Sequence, residues 1–365
     1  MKKNRRKILV GFSIILATGI LILSFTITKG SNASINLNEF KTSEKSNMVA
    51  VNYKGKWGFI DSSGKWIIKP KFSAVGKFSE GLASAEYKDK YGYINTNGDW
   101  AIESSFDSAF NFSEGLALVS INDKYGYIDK TGTMVIEPKI SETSLGNFTE
   151  GAAVVCFEGK WGCINKSGDF IIEPKFSDIG NYSRNFEILK FSEGLIPACL
   201  DNKWGYLNNK GNFIIESKFA NALDFFDGLA FVQVNSKWGI IDKEGKYLVE
   251  PKFEDVVDFS DGLAAIKLNN KWGVINTKGE LVVEPKFEIN PYFRIKYSEG
   301  LAVIESNNKW GYMDAKGKWS INPTFDAASD FSEGVAAVKM DDKWGFIDKE
   351  GNFVIKPKFE NVFDF

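Results

Sequence analysis

Apolar and polar positions along this chain recur with a period of about 34 residues, and a fixed period of that length marks a tandem repeat. One unit can stand for all. Leu263, Ala264, Ala265 and Ile266 form an apolar segment that meets a polar pair, Asn269 and Asn270. Lys271-Trp272-Gly273 follows, then Val274 and Ile275, then a turn from Asn276 to Gly279. The aliphatic run Leu281, Val282, Val283 is stopped by Glu284-Pro285-Lys286-Phe287. Units close on a Phe-Ser-Asp/Glu-Gly-Leu-Ala signature, as in Phe259 to Ala264. Short β-branched and aromatic runs between turn residues predict strands, three to a unit. Helical length and apolarity occur only in residues 8–28.

The Lys-Trp/Tyr-Gly triplet occurs nine times, its aromatic residue at Trp57, Tyr91, Tyr125, Trp161, Trp204, Trp238, Trp272, Trp310 and Trp344. An Asp or Asn opens each following turn and a Gly closes it, as at Asp61 and Gly64 or Asp242 and Gly245. Such side chains bond their own backbone, and Gly takes the left-handed conformation. Pro70, Pro138, Pro174, Pro251, Pro285, Pro323 and Pro357 mark strand ends or edges, because proline cannot donate to a ladder.

The expected fold is therefore all-β, a tandem array of nine three-stranded antiparallel units over residues 48–365. Propeller blades take about 40–45 residues each and usually number four to eight, so an open superhelical stack is favoured over a closed propeller-like ring. Against this, the last unit, from Lys343 to Phe365, carries no polar cap of the kind that open stacks need. The triplets, the Pro-Lys-Phe strand ends and the Phe-Ser-Glu-Gly-Leu-Ala signature resemble the WG (KWG) repeat family of bacterial proteins. That resemblance implies an exported or surface β-repeat protein that binds something, and it brings no catalytic residue.

Before the array, Lys2, Lys3, Arg5, Arg6 and Lys7 precede the uncharged apolar run at 8–28. About 20 apolar residues suffice to span a bilayer as a helix, and the basic flank stays cytoplasmic. Residues 1–30 are read as a transmembrane signal-anchor and 31–47 as a polar spacer, with the repeats extracytoplasmic. Cleavage after Ser31-Asn32-Ala33, giving a secreted protein, is the alternative. Residues 31–365 hold 39 basic against 47 acidic side chains, the wrong sign for a nucleic-acid partner.

Candidate chemistry is sparse. The chain has no His, which removes the commonest general base and zinc ligand. Acidic residues recur at one slot before Gly (Glu80, Glu114, Glu150, Glu193, Asp227, Asp261, Glu299, Glu333) and read as turn or cap elements. Trp66, Trp100, Phe170, Phe213 and their counterparts, two residues after each turn Gly, read as packing between units. Cys156, Cys163 and Cys199 read as small buried hydrophobes, with a Cys156–Cys199 bridge as the alternative. No cofactor or metal is called for.

Length varies only between the Pro-Lys-Phe strand end and the Phe-Ser-Glu-Gly signature, and such insertions project from one side of an array. Arg184 and Arg294, the only Arg beyond the N-terminal flank, lie in the two longest insertions with Tyr182, Phe186, Tyr292 and Phe293. Arg with aromatics is the composition of binding hot spots. These six residues are the candidate ligand-binding set. The expected function is non-enzymatic: a membrane-anchored binding or scaffolding module for a protein, peptide or cell-wall glycan. A structural spacer or self-associating surface protein is the alternative, and a glycosidase-like enzyme the remote one.

Overall fold

A computed structural model of the protein describes residues 15–16, 19–20, 48–140, 146–180, 190–287 and 296–362. Its contacts divide into two units, Met1–Glu44 and Lys45–Phe365. In the first unit, Ile15–Leu16 pairs antiparallel with Gly19–Ile20. Apart from that pair, the run at 8–28 expected to form a membrane helix lies outside the described residues. Among the described residues, no helix is long and apolar enough to cross a membrane.

The second unit is a ring of nine antiparallel blades. Blade 6 shows the plan, with Leu229–Val234, Lys237–Asp242 and Tyr247–Phe253 as its first, second and outer strands. The first and second strands pair residue for residue, from Leu229↔Asp242 to Val234↔Lys237. Asn235 and Ser236 join them with φ of 49° and 60°, the two-residue turn whose twist matches the strands. At the other end, Asp242 Oδ1 accepts the N–H groups of Glu244 and Lys246, while Gly245 (φ 77°) donates to the Asp242 carbonyl. The predicted turn chemistry is thus what is found.

Each triplet Gly has a different reason. The outer strand slips register twice against the second strand, between Trp238/Ile240 and Ile240/Ile241, and its backbone crosses directly over the glycine. A Cβ on Gly239 would lie 2.7 Å from the Val249 carbonyl oxygen and 2.9 Å from the Pro251 nitrogen. All nine triplets share this close approach.

Among the described residues, two blades have the three strands expected and seven add a fourth. Between one outer strand and the next Ser-Glu-Gly turn, the chain runs along the first strand of the following blade. In blade 6, Asn221–Ala222 pairs there with Gln233 and Val232, making a fourth, innermost strand of two residues. These segments escape a hydropathy reading because they are too short to alternate.

Core clusters lie between blades. Trp204, Tyr206 and Ile215 of blade 5 pack with Phe225, Val232 and Ile241 of blade 6. The aromatic slot behaves as expected: Trp100 meets Phe72 of the preceding blade at 5.8 Å between centroids, and Phe213 meets Phe176 at 6.0 Å. The three cysteines are buried and none is in a disulfide, and burial pushes the Cys163 thiol up to about 12.

The favoured open stack is corrected to a closed ring. Asn361–Val362 supplies the innermost strand of blade 1 by pairing with Asn52 and Val51. Phe346, Ile355 and Phe359 of blade 9 share a core with Val49, Val51 and Ile60 of blade 1. The turn glycine Gly64 lies against Ile355 just as Gly98 lies against Ile68. The missing polar cap at the last unit follows, because that unit buries its end on the first.

Candidate functional site

Among the described residues, no group of three or more His, Cys, Asp or Glu is placed to hold a metal ion. What the ring offers is surface, organised by two sets of carboxylates.

The first set is the signature acid. Glu80 and Gly81 form a two-residue turn with φ of 52° and 84°, closed by Ser79–Leu82 backbone bonds of 2.8 and 3.0 Å. Six of the eight acids reach forward one blade to the N–H of the next turn glycine. Gly115 donates to Glu80 at 3.2 Å, Gly151 to Glu114 at 3.0 Å and Gly228 to Glu193 at 3.0 Å. Gly300 to Asp261 and Gly334 to Glu299 repeat it at 3.1 Å. Lysines complete four of these links, Lys130 with Glu80, Lys166 with Glu114, Lys243 with Glu193 and Lys349 with Glu299, at 2.9 to 3.1 Å. Burial raises the pKa of Glu80, Glu193 and Glu299, but the lysine and glycine N–H bonds outweigh it and hold all three below the usual range. This acid slot therefore belongs to the joints between blades.

The second set was not singled out from the sequence. At the opposite end of the blades, an acid just after the outer-strand Phe clips two blades together. Asp107 binds Lys90 and accepts the N–H of Asn122 at 2.6 Å. Asp326 binds Lys309 at 2.6 Å and accepts the Asp341 N–H at 3.2 Å. Glu360 accepts the Gly55 N–H at 2.8 Å across the closure. Ser73, Ser177 and Ala220 fill the same slot elsewhere, so the sequence signal is a partial one.

Buried tyrosines add a third tie. Tyr93, Tyr127, Tyr206 and Tyr312 donate to the carbonyls of Phe110, Gly146, Leu223 and Ser329 at 2.7 to 2.8 Å. Each accepting residue anchors the innermost segment of the next blade by its own N–H, as Gly146 does to Val154 and Leu223 to Phe231. Gly180 makes the same bond to Pro197 in blade 5, where Cys163 of blade 4 stands in place of the tyrosine.

That anchor divides the insertions. In blade 4 the extra residues precede it: Ile140 and Gly146 are six residues apart, where Phe106 and Phe110 are four. In blade 5 they follow it: Gly180 and Ser192 are twelve apart, where Gly76 and Ser79 are three. The two insertions therefore fall at different places relative to this anchor. Tyr182, Arg184, Phe186, Tyr292, Phe293 and Arg294 all lie outside the described residues.

Among the described residues, exposed aromatics pair in blades 1, 2 and 4, Phe157 meeting Phe170 at 6.3 Å in the last of these. Tyr53 packs on Trp66 at 6.1 Å in blade 1, and Tyr87 on Trp100 at 6.5 Å in blade 2. Lys54 and Lys88 lie over the two tyrosine rings at 5.4 and 5.2 Å.

A search of curated protein sequences finds no match. Among solved structures, a eukaryotic initiation factor superposes with a TM-score of 0.58 at 11% identity, covering 87% of this chain and 98% of the other. BamB from Moraxella catarrhalis gives 0.45 at 12% identity, covering 80% and 95%. At these identities the likeness is one of fold alone. The WG containing repeat matches residues 57–91, 91–125, 125–161, 161–186, 204–238, 238–272, 272–310, 310–344 and 344–365. With nine consecutive matches along most of its length, the chain belongs to the WG-containing repeat family.

Proposed function

We propose that this protein is a non-enzymatic binding or scaffolding module, held outside the cell membrane by residues 8–28, that recognises a protein, peptide or cell-wall glycan. The observation carrying this reading is the use of the recurrent acids. Glu80, Glu114, Glu150, Glu193, Asp261 and Glu299 each accept a glycine N–H of the next blade, so carboxylates otherwise available for acid–base work hold the ring together. A rigid ring with variable segments is the usual arrangement of a recognition scaffold. Within that reading, Tyr182, Arg184 and Phe186, with Tyr292, Phe293 and Arg294, are the proposed contact residues, since aromatics and Arg dominate binding energetics.

The alternative of self-association rested on an exposed strand edge at the C-terminus. The pairing of Asn361–Val362 with the first strand of blade 1 takes that argument away.

The test is retention of the detergent-solubilised full chain on cell-wall fragments, immobilised glycans and envelope extracts, in parallel with Arg184→Ala/Arg294→Ala. Retention of the parent and at least tenfold weaker binding of the folded double variant is expected. Equal retention would move the site to the blade surfaces. No retention on any of these would sink the reading.

A further inference from the structure

Charge is unevenly shared around the ring. Residues 49–72, the three long strands of blade 1 with their turns, hold five Lys against one Asp. Residues 73–365 hold 32 basic side chains against 44 acidic ones. An acidic ring thus has a strongly basic first blade.

The two-residue turns of blades 1 and 2 follow exposed tyrosines, Tyr53 and Tyr87, and begin with Lys54 and Lys88. Blade 4 has an exposed aromatic pair in the same slots, Phe157 on Phe170 at 6.3 Å, but its turn begins with an acid, Glu158. The corresponding dipeptides in blades 5, 6 and 7 are Leu200-Asp201, Val234-Asn235 and Leu268-Asn269. Tyr53 and Tyr87 are 38% and 45% exposed, and each touches a half-buried tryptophan, Trp66 or Trp100. Trp100 also packs on Phe72 of blade 1, which is itself buried. Lys71 lies over Phe72 at 5.0 Å. In blade 1 the outer strand carries Lys69 before its proline, as blade 9 carries Lys356, where blades 2 to 7 carry Glu at that place.

Exposed Tyr and Trp ringed by Lys is the composition that settles at a membrane–water boundary. The rings sit at headgroup level and lysines meet anionic lipid. A soluble polyanion would reward the lysines but gain little from Tyr53 and Tyr87. We infer that the sector formed by blades 1 and 2 docks on an anionic lipid surface through Tyr53, Lys54, Tyr87, Lys88 and the tryptophans behind them. This rests on the proposed anchoring through residues 8–28. The 20 residues at 29–48 limit the distance from that run to blade 1 to about 70 Å at full extension. The blades nearest the lipid along the chain are then the ones suited to touch it.

The experiment places an environment-sensitive fluorophore on the full chain at Asp89→Cys, in the turn beside Tyr87, or at the matching turn position of blade 6, Ser236→Cys. Cys156, Cys163 and Cys199 are buried and stay unlabelled in the folded protein. The protein is reconstituted into lipid discs of phosphatidylcholine alone or with phosphatidylglycerol. Emission at 89 is expected to shift to the blue only in the anionic discs and to return in about 1 M salt, where the Debye length is about 3 Å. Lys54→Glu/Lys88→Glu should abolish the shift, and position 236 should not respond. Indistinguishable emission at 89 and 236 in both discs would overturn the inference. So would a shift produced by a soluble glycerol-phosphate polymer without any dependence on the lipid. Anchoring is scored separately, by flotation with neutral vesicles at about 1 M salt. If flotation fails, adding phosphatidylglycerol vesicles to the detergent-free protein still tests the docking surface.

Discussion

At Gly239 a missing methyl group decides where a strand can run. A Cβ there would lie 2.7 Å from the Val249 carbonyl oxygen, and the crossing backbone cannot rotate away as a side chain would. Gly228, in the Asp-Gly turn of the same blade, has nothing within 4 Å of its Cβ direction but a φ of 78°, so only conformation restricts it. Gly239→Ala is expected to destabilise by about 1–3 kcal/mol through overpacking, whereas Gly228→Asn costs less than about 1 kcal/mol because Asn tolerates the left-handed region. Denaturant unfolding of the two variants checks this, and the reverse order would contradict the crossing. The nine Lys-Trp/Tyr-Gly triplets were plain in the sequence, but this role of the glycine was not. Nothing in a linear pattern says that a strand two segments later will pass over that atom.

Turns and long strands were legible because their chemistry is local: Asp242 bonds N–H groups two and four residues on. The innermost strands were not, because Asn221–Ala222 and its counterparts are two residues long and exist only by pairing with a first strand. Joints between blades show the same division. The signature acid was visible as a recurring slot, while its partner, a glycine N–H one blade away, depends on the ring. Glu80, Glu193 and Glu299 are held below their usual value of 4.5. A depressed folded-state pKa gives stabilisation that is present above the unfolded value and lost as pH falls through the folded one. The melting temperature should therefore be flat from pH 7 to about 5 and decline below about 4.5. Glu193→Gln removes the Lys243 ion pair, so it should lower stability at pH 7 by about 0.2–1 kcal/mol and flatten the acid slope. Calorimetry from pH 7 to 3 reads both effects, and an unchanged slope in the variant would remove Glu193 from the account.

Ring closure is a property of the whole molecule, and the sequence reading leaned the other way. It depends on the summed rotation from blade to blade, which no single unit encodes, so a period shorter than that of common propellers pointed to an open stack. Beside the shared core, the last strand closes the ring with few contacts: two residues of pairing and the Glu360 carboxylate on the Gly55 N–H. Truncation after Phe359 removes them. At about 1 kcal/mol for each hydrogen bond, the loss should come to about 3 kcal/mol and should also make unfolding less cooperative. A calorimetric enthalpy rising above the van't Hoff value would register that. A variant as stable and cooperative as the parent would mean that the shared core of blades 1 and 9 closes the ring unaided. The candidate ligand set around Arg184 and Arg294 stood out through composition alone, and composition fixes no geometry.

Glu360 and Gly55 stand 305 residues apart in the chain yet meet at 2.8 Å. Blade 1 is the first to emerge during synthesis and the last to be finished. At about 5–20 residues per second, its innermost edge waits roughly 15–60 s for its partner strand. Throughout that interval Val49–Tyr53 presents an open ladder to any passing strand. The seam is thus a clock as well as a joint: the protein is most vulnerable to mispairing while it is being made, and that exposure ends when its two ends meet.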